Sequence, residues 1–255
     1  MLSQITPLIL TFNEAPNLER TLAKLTWAER IVVVDSLSTD ATIEICKRFP
    51  QVEVIQRKFD DHTSQWNFGL DQVKTEWALS LDADYILSDE FIAELKSLSP
   101  SRNAAGFSAG FIYCVSGRPL RGSLYPPRVV LFRPSESRYV ADGHTQTLRL
   151  AGTPRELSAR ILHDDRKPLT HWLWAQDRYA VLEAAKLLAA DADRLPFQDR
   201  LRRMIWPAPF LVLGYTLLVK GMILEGWPGW YYTCQRTLAE LFLSLRLIEA
   251  KLKRD

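Results

Sequence analysis

Four short apolar runs rich in β-branched residues, each ending in polar side chains, constrain this chain more than any other feature. They are Ile5 to Thr11, Arg30 to Asp35, Val52 to Arg57 and Trp77 to Asp82, separated by stretches with helical spacing that begin near Pro16, Asp40 and Thr63. Such alternation predicts βα units on a parallel sheet. Pro16 suits an opening helical turn, and Ser38 and Thr39 are the capping candidates for the second helix. Ligands of open α/β sheets bind beyond the carboxyl ends of the strands. Asn13, Glu14, Asp35, Arg57, Asp82 and Asp84 are therefore expected to converge on one crevice.

Beyond Pro100 the pattern changes to strands at Ala104 to Val115, Arg128 to Arg133 and Leu157 to His163, broken by turns such as Gly117 to Pro119 and Tyr125 to Pro127. This reads as an antiparallel extension. A long helix follows from Leu169 to Asp193, ended by Pro196. The expected organisation is an α/β catalytic domain over residues 1–195 and a helical segment over 196–255.

Composition excludes several classes. With 47% hydrophobic and 24% charged residues the chain is an ordinary globular protein, not a disordered one. A net charge of +2 is too balanced for binding nucleic acid through counterion release. Cys46, Cys114 and Cys234 are odd in number and far apart, which fits neither a disulfide framework nor a zinc motif and implies a reducing compartment. Asn13 and Glu14 interrupt the first hydrophobic run, so no signal peptide is expected there and the expected location is cytoplasmic.

The last sixty residues differ in kind. They carry nine basic and five acidic side chains, net +4, against net −2 for the rest. Arg200, Arg202 and Arg203 precede Met204 to Val219, a run whose one polar side chain is Thr216 and which Pro207, Pro209 and Gly214 interrupt. A spanning helix needs about 20 apolar residues, so this segment reads as monotopic or re-entrant. Leu238, Leu241, Phe242, Leu245, Ile248 and Leu252 fall on one helical stripe. Either the stripe packs on the catalytic domain or the segment lies on a membrane surface. The arginines and the aromatic cluster Trp227 to Tyr232 favour the membrane.

Asp82-Ala83-Asp84, at the point where a strand opens into a loop, has the carboxylate spacing to share a divalent cation bridging a diphosphate. Asp191-Ala192-Asp193 is a second copy at a helix end, where no ligand is needed, so position carries the argument and not the pattern. Asn13, Glu14 and Asp35 supply acceptors for a nucleoside's ring N–H and ribose hydroxyls; a turn and a helix dipole would explain the first two equally. Arg57, Gln65 and Asn67 are candidates to complete that wall. His163 is a candidate third metal ligand, with Arg166 or Lys167 to neutralise a departing diphosphate. Asp142, in a Gly-containing loop with His144, is a candidate general base or simply an Asp-Gly turn. No Gly-rich dinucleotide fingerprint, P-loop lysine or nucleophile motif is present.

Leu10 to Leu18, then Val33-Val34-Asp35-Ser36 with Ser38-Thr39-Asp40, Gln65-Trp66-Asn67-Phe68-Gly69 and Leu81-Asp82-Ala83-Asp84 together resemble family 2 glycosyltransferases of the GT-A fold. Within that family the chain is similar to bacterial lipopolysaccharide inner-core β-1,4-glucosyltransferases. The resemblance implies inverting transfer from a UDP-sugar, with a divalent metal, Mg or Mn, at the paired aspartates. Asn13, Glu14 and Asp35 would hold the nucleoside, Asp82 the ribose and Asp84 the metal. The implied acceptor is a lipid-linked or cell-envelope saccharide at the cytoplasmic face of the membrane. Two positions depart from the pattern. Relatives commonly carry His-Glu where this chain has His144-Thr145, and threonine cannot deprotonate a hydroxyl; Asp142, or alternatively Asp164, is the substitute. Tyr85 stands where many relatives have Glu. The competing readings are a sugar-phosphate nucleotidyltransferase, which would need a Gly-rich basic loop that Thr11 to Pro16 does not supply, and a non-catalytic membrane adaptor.

Overall fold

The computed structural model describes residues 1–99, 104–142, 145–191 and 195–253, and every structural statement below concerns these. The chain forms two compact units. The first comprises Met1–Pro119, Tyr125–Ala141 and Thr145–Arg166, the second Leu120–Leu124, Asp142–His144 and Lys167–Asp255.

In the first unit, β1 (Ile5–Thr11), β2 (Ile31–Asp35), β3 (Val52–Gln56) and β4 (Trp77–Asp82) are the four expected strands, with β1 parallel to both β2 and β4, and β2 parallel to β3. β1, β2 and β4 are buried at successive positions because both faces are covered, whereas the edge strand β3 exposes Glu53 and Gln56. Ile5 and Ile9 of β1 and Val33 of β2 enter one core cluster, whereas Leu8, Val32 and Val34 enter the other. The intervening helices are α1 (Leu18–Ala23), α2 (Thr42–Cys46) and α3 (His62–Gln72). Asp61 caps α3 by accepting from Ser64 N at 2.8 Å. The N-cap position of α2 is Ala41, not Ser38 or Thr39, and it makes no side-chain cap bond; Asp40 beside it accepts from Thr42 N at 3.0 Å. Ser38 is committed elsewhere.

β5 (Tyr85–Leu87) and α4 (Asp89–Ser97) follow β4. The strand expected over Ala104 to Val115 is broken at Gly110 into β6 (Gly106–Ala109) and β7 (Phe111–Val115), which join different sheets. The remaining strands are β8 (Arg118–Pro119), β9 (Arg128–Phe132), β10 (Arg138–Asp142), β11 (Thr145–Arg149), β12 (Arg155–Glu156) and β13 (Ile161–His163). Among the described residues the central sheet has the order β12-β6-β9-β4-β1-β2-β3, mixed because β9 runs antiparallel to β4 and β6. A smaller sheet has the order β5-β13-β7-β8, and β10 pairs with β11.

The second unit is helical. It contains α5 (Leu169–Ala189), α6 (Phe197–Arg203), α7 (Pro207–Gly214), a π-helical turn (Tyr215–Val219), a 3-10 turn (Met222–Glu225) and α8 (Trp227–Leu252). Ala180, Ala184 and Leu187 of α5 form one core with Leu195, Ile205, Leu243 and Leu247. α5 thus groups with the later helices in this unit, whereas the sequence reading begins the helical segment at residue 196. A Cβ at Gly229 would lie 2.0 Å from the Met222 carbonyl oxygen, so only glycine lets the 3-10 turn approach the first turn of α8.

The expected stripe of α8 is not the face it buries. Tyr232, Leu243 and Leu247 are buried together with Gln235, Glu240 and Ser244, while Leu241, Leu245 and Leu252 are exposed. The polar residues are accommodated because Arg202 donates to Glu240, with Nη2 to Oε1 at 2.8 Å, and Ser244 Oγ donates to the Ile205 carbonyl at 2.9 Å. Among the described residues no helix is long and apolar enough to cross a membrane.

Candidate active site

The β1 and β2 ends are joined through Asp35. Its side chain is fully buried, and four donors reach its carboxylate: Thr11 Oγ1 at 2.9 Å, Ser38 Oγ at 2.5 Å, Ser38 N at 2.9 Å and Gln56 Nε2 at 3.2 Å. A carboxylate has about four lone-pair sites, so this one is filled. Asp35 thus braces the loops that follow β1 and β2. Ser38 Oγ in turn accepts from Asn13 N at 2.8 Å, and Asn13 Oδ1 accepts from Thr39 N at 2.8 Å. Asn13 and Leu37 both have positive φ, 54° and 62°. Asparagine tolerates that region, whereas an exposed leucine there is a strained loop position held by its neighbours.

Two further expected contacts are structural. Asn67 Nδ2 donates to the Tyr139 carbonyl at 3.0 Å and its Oδ1 accepts from Tyr139 N at 2.9 Å, which pins α3 to β10. Gln65 is fully buried; it donates to Ser36 Oγ at 3.0 Å and accepts from Arg57 Nη1. Arg57 is half-buried, held by Gln65, by Asp60 at 2.8 Å and over the Phe68 ring. In sequence the alternative for Gln65 and Asn67 is a solvated helix face, but each amide is consumed by backbone or by a neighbour. Glu14 remains half-buried, accepting from Asn17 Nδ2 at 3.0 Å.

Asp82 ends β4 and Asp84 follows in the turn before β5. β13 lies between β5 and β7, antiparallel to one and parallel to the other, and its register sets His163 opposite Tyr85 and Tyr113. His163 Nε2 is 3.1 Å from Asp84 Oδ2. The ring sits among Tyr85, Tyr113 and Tyr125, at centroid distances of 5.3, 4.8 and 4.5 Å. Burial opposes charge on this imidazole, but the Asp84 carboxylate, as neighbouring charge and hydrogen-bond partner, outweighs it with help from Asp82 and Asp165, so its pKa is raised. Tyr85, at the position of the family's Glu, is buried with its hydroxyl bonded to that of Tyr125; burial, reinforced by Asp82, pushes its pKa well up. It supplies no carboxylate.

Asp84 and His163 bring one carboxylate oxygen and one imidazole nitrogen together. Ligand atoms about 2.1 Å from an octahedral metal stand roughly 3 Å apart when adjacent, and Nε2 and Oδ2 have that separation. Among the described residues no group of three His, Cys, Asp or Glu is placed to hold a metal ion. Magnesium-type sites use one or two carboxylates and leave the remaining positions to phosphates and water.

Asp164 is 3% exposed and held by Arg20 Nη1 at 2.5 Å, Arg166 Nε at 2.9 Å and Gly117 N at 2.9 Å. Three donors, two of them arginine N–H groups, thus hold the carboxylate that sequence offers as the alternative base. Arg166, expected to face a leaving diphosphate, spends Nε on Asp164, although its side chain is 44% exposed. Sequence reading missed Arg20 and Asn17. They lie three residues apart on one side of α1, Asn17 Nδ2 donates to Asp165 at 2.8 Å, and that spacing was the available signal. Asp142 is counted with the second unit, where its Oδ1 lies 2.7 Å from Lys186 Nζ. His144, Ala192 and Asp193 lie outside the described residues.

A cavity of about 320 Å³ adjoins Asp82, lined among others by Trp66, Ser80, Tyr85, Arg128 and Tyr139. The Arg128 guanidinium stacks over the Tyr125 ring at 5.1 Å. Neither feature was legible in sequence, because the pocket is assembled from α3, β4, β9, β10 and β11.

This strand-end cluster on a mixed α/β sheet belongs to a known class. The family model described as glycosyl transferase family 2 matches residues 8–145, more than half the chain, and the chain belongs to that family. An uncharacterized glycosyltransferase of Rickettsia bellii is 33% identical over 101 residues, covering 39% of this chain and 34% of the relative. One from Rickettsia prowazekii is 29% identical over 103 residues, covering 40% and 35%. The chain thus spans about a third of the length of the curated relatives it matches. Among solved structures, S. aureus TarS 1-349 in complex with UDP-GlcNAc is 15% identical, with a TM-score of 0.48 over 98% of this chain and 91% of that one. Glucosyl-3-phosphoglycerate synthase of Mycobacterium tuberculosis, in complex with Mn2+, UDP and phosphoglyceric acid, is 14% identical, with a TM-score of 0.36 over 43% of each chain.

Proposed function

We propose that this chain transfers a sugar, with inversion, from a UDP-sugar to a hydroxyl of a lipid-linked or cell-envelope saccharide. The observation that carries the proposal is the contact of His163, at the end of β13, with Asp84, two residues beyond Asp82 at the end of β4, in a chain that belongs to glycosyl transferase family 2. Asn13, Glu14 and Arg57 are the exposed or half-exposed groups left to meet the nucleotide. The sequence resemblance favours the lipopolysaccharide inner core as acceptor.

In an inverting transfer the acceptor oxygen bonds to the anomeric carbon as the bond to the diphosphate breaks, and the hydroxyl proton passes to a base. With Asp164 held by three donors, Asp142 is the carboxylate retained for that role. A divalent cation held by Asp82, Asp84 and His163 supplies, when bound, neutralisation of the diphosphate charge. Tyr85, Tyr113 and Tyr125 keep the His163 ring oriented towards Asp84.

A thermal-shift series of nucleotides and nucleotide sugars, with and without Mn2+, tests the donor class, because a ligand selective for the native state raises apparent stability with its affinity. UDP and one UDP-sugar should give the largest metal-dependent rise. Equal rises for all nucleotides, or none, would overturn the reading.

A further inference from the structure

The second unit exposes an apolar surface that its own core does not use. Twelve large apolar side chains between Met204 and Tyr231 are exposed, among them Trp206 at 70%, Phe210 at 69%, Leu218 at 70% and Leu224 at 81%. The surface continues along α8. Trp227, Tyr231, Cys234, Leu238, Leu241 and Leu245 recur at alternating spacings of four and three, so they share one side of a helix about 39 Å long. Of these only Leu238 is half-buried; the rest are exposed. Soluble monomers rarely leave such a continuous apolar face uncovered.

Charge selects its occupant. From Arg200 to Leu224 the chain carries Arg200, Arg202, Arg203 and Lys220 and no acidic residue. Arg202 is consumed by Glu240 and Asp199, and Arg203 Nη1 donates to the Ala190 carbonyl, which leaves exposed Arg200 and half-buried Lys220, near the Tyr215 ring, as cations bordering the apolar run. Tryptophan and tyrosine beside such cations are the composition of a headgroup boundary. A second helix fits less well. The positions flanking the α8 seam are Trp230, Gln235, Thr237 and Phe242, not the charges that specify pairing. The prolines of α7 and the π-helical turn also break any regular groove beside it.

We infer that the face formed by α7, the two short turns and the outward side of α8 docks on an anionic lipid bilayer, lying in its surface without crossing it. The inference stands apart from the proposed transfer, and its test needs no substrate.

Cys234 lies in the middle of this face and is the exposed one of three free cysteines; Cys46 and Cys114 are buried. It therefore reports on the face in the unmodified full chain. With phosphatidylglycerol-containing vesicles at low salt, the protein should float, and labelling of Cys234 by a hydrophilic maleimide should slow about tenfold or more as the face enters the interface. Neutral phosphatidylcholine vesicles should give weaker flotation, and high salt should reduce it on anionic ones. Arg200→Gln and Lys220→Gln should each weaken partition roughly fivefold. Leu224→Glu, at a solvent-facing position, should weaken it further with thermal stability unchanged. Protein that stays at the bottom of the gradient with anionic vesicles overturns the inference. So does flotation with Cys234 fully reactive, which would assign binding to another face. Cys234 protected without vesicles, in a species of twice the monomer mass, would assign the face to a second copy of this chain instead.

Discussion

His163 Nε2 stands 3.1 Å from Oδ2 of Asp84, and the two residues are brought together across 79 positions of sequence by the pairing of β13 with β5. The neighbouring Asp84 carboxylate raises the pKa of this buried imidazole. The pair also presents one nitrogen and one oxygen at the spacing of neighbouring metal ligands.

Asp84→Asn and His163→Phe should therefore each abolish the Mn2+-dependent part of the UDP thermal shift. Asp84→Asn should leave the melting temperature of the ligand-free protein within a few degrees, since the side chain lies at a partly open site. A metal-dependent shift of wild-type size in either variant would remove that residue from the metal site.

Asp35→Ala should act on stability. Its buried carboxylate holds the loops after β1 and β2, and hydrogen bonds to a charged group contribute about 1.5–3 kcal/mol each. Loss of roughly 3 kcal/mol or more is expected, read as a lower urea midpoint at unchanged slope. An unaltered midpoint with lost UDP binding would make Asp35 a direct contact.

Asp142→Asn should slow sugar transfer by about 10²–10⁴ with donor affinity nearly unchanged, the contribution of a positioned base. Asp164→Asn should instead destabilise the protein, because it weakens the anchor of Arg20, Arg166 and Gly117. The reverse pattern would exchange their roles.

The thiols give a pH prediction. Burial, with the Asp35 charge adding, pushes Cys46 up to about 11, and burial, with Asp164 adding, does the same for Cys114. At pH 8 such groups are roughly 0.1% thiolate. One thiol of three should react rapidly in the native protein, and all three after unfolding. Because these folded-state values lie above the ordinary 9.0, the stability tied to the protonated thiols is complete below pH 9 and is lost as pH rises towards 11. Wild-type protein should accordingly lose stability over that range more steeply than a Cys46→Ala, Cys114→Ala double variant.

Arg128→Met tests the cavity beside Asp82. It should reduce transfer while the Mn2+-dependent UDP shift persists, because the guanidinium rests on Tyr125 in the cavity wall and not among the strand-end groups at Asn13 and Arg57. Equal loss of UDP binding would place Arg128 on the nucleotide.

The sequence by itself determined the parallel β1 to β4 core, since apolar runs of five to seven residues between turn signals leave a two-sided buried strand as their best solution. It also determined that polar groups crowd the strand ends and that the last sixty residues are apolar, basic and too interrupted to span a bilayer. Tertiary structure decided what each polar group does. Asp35, Gln65 and Asn67 look like ligand contacts in sequence, yet burial commits their polar atoms to Thr11 and Ser38, to Ser36 and Arg57, and to the backbone of Tyr139. Tertiary structure also decided which side of α8 is covered. The helix buries Glu240 and Ser244 because Arg202 and the Ile205 carbonyl satisfy them, and it turns Leu241 and Leu245 outward. A periodic pattern shows that a helix has two faces, but only the partners supplied by the rest of the fold determine which face is sealed.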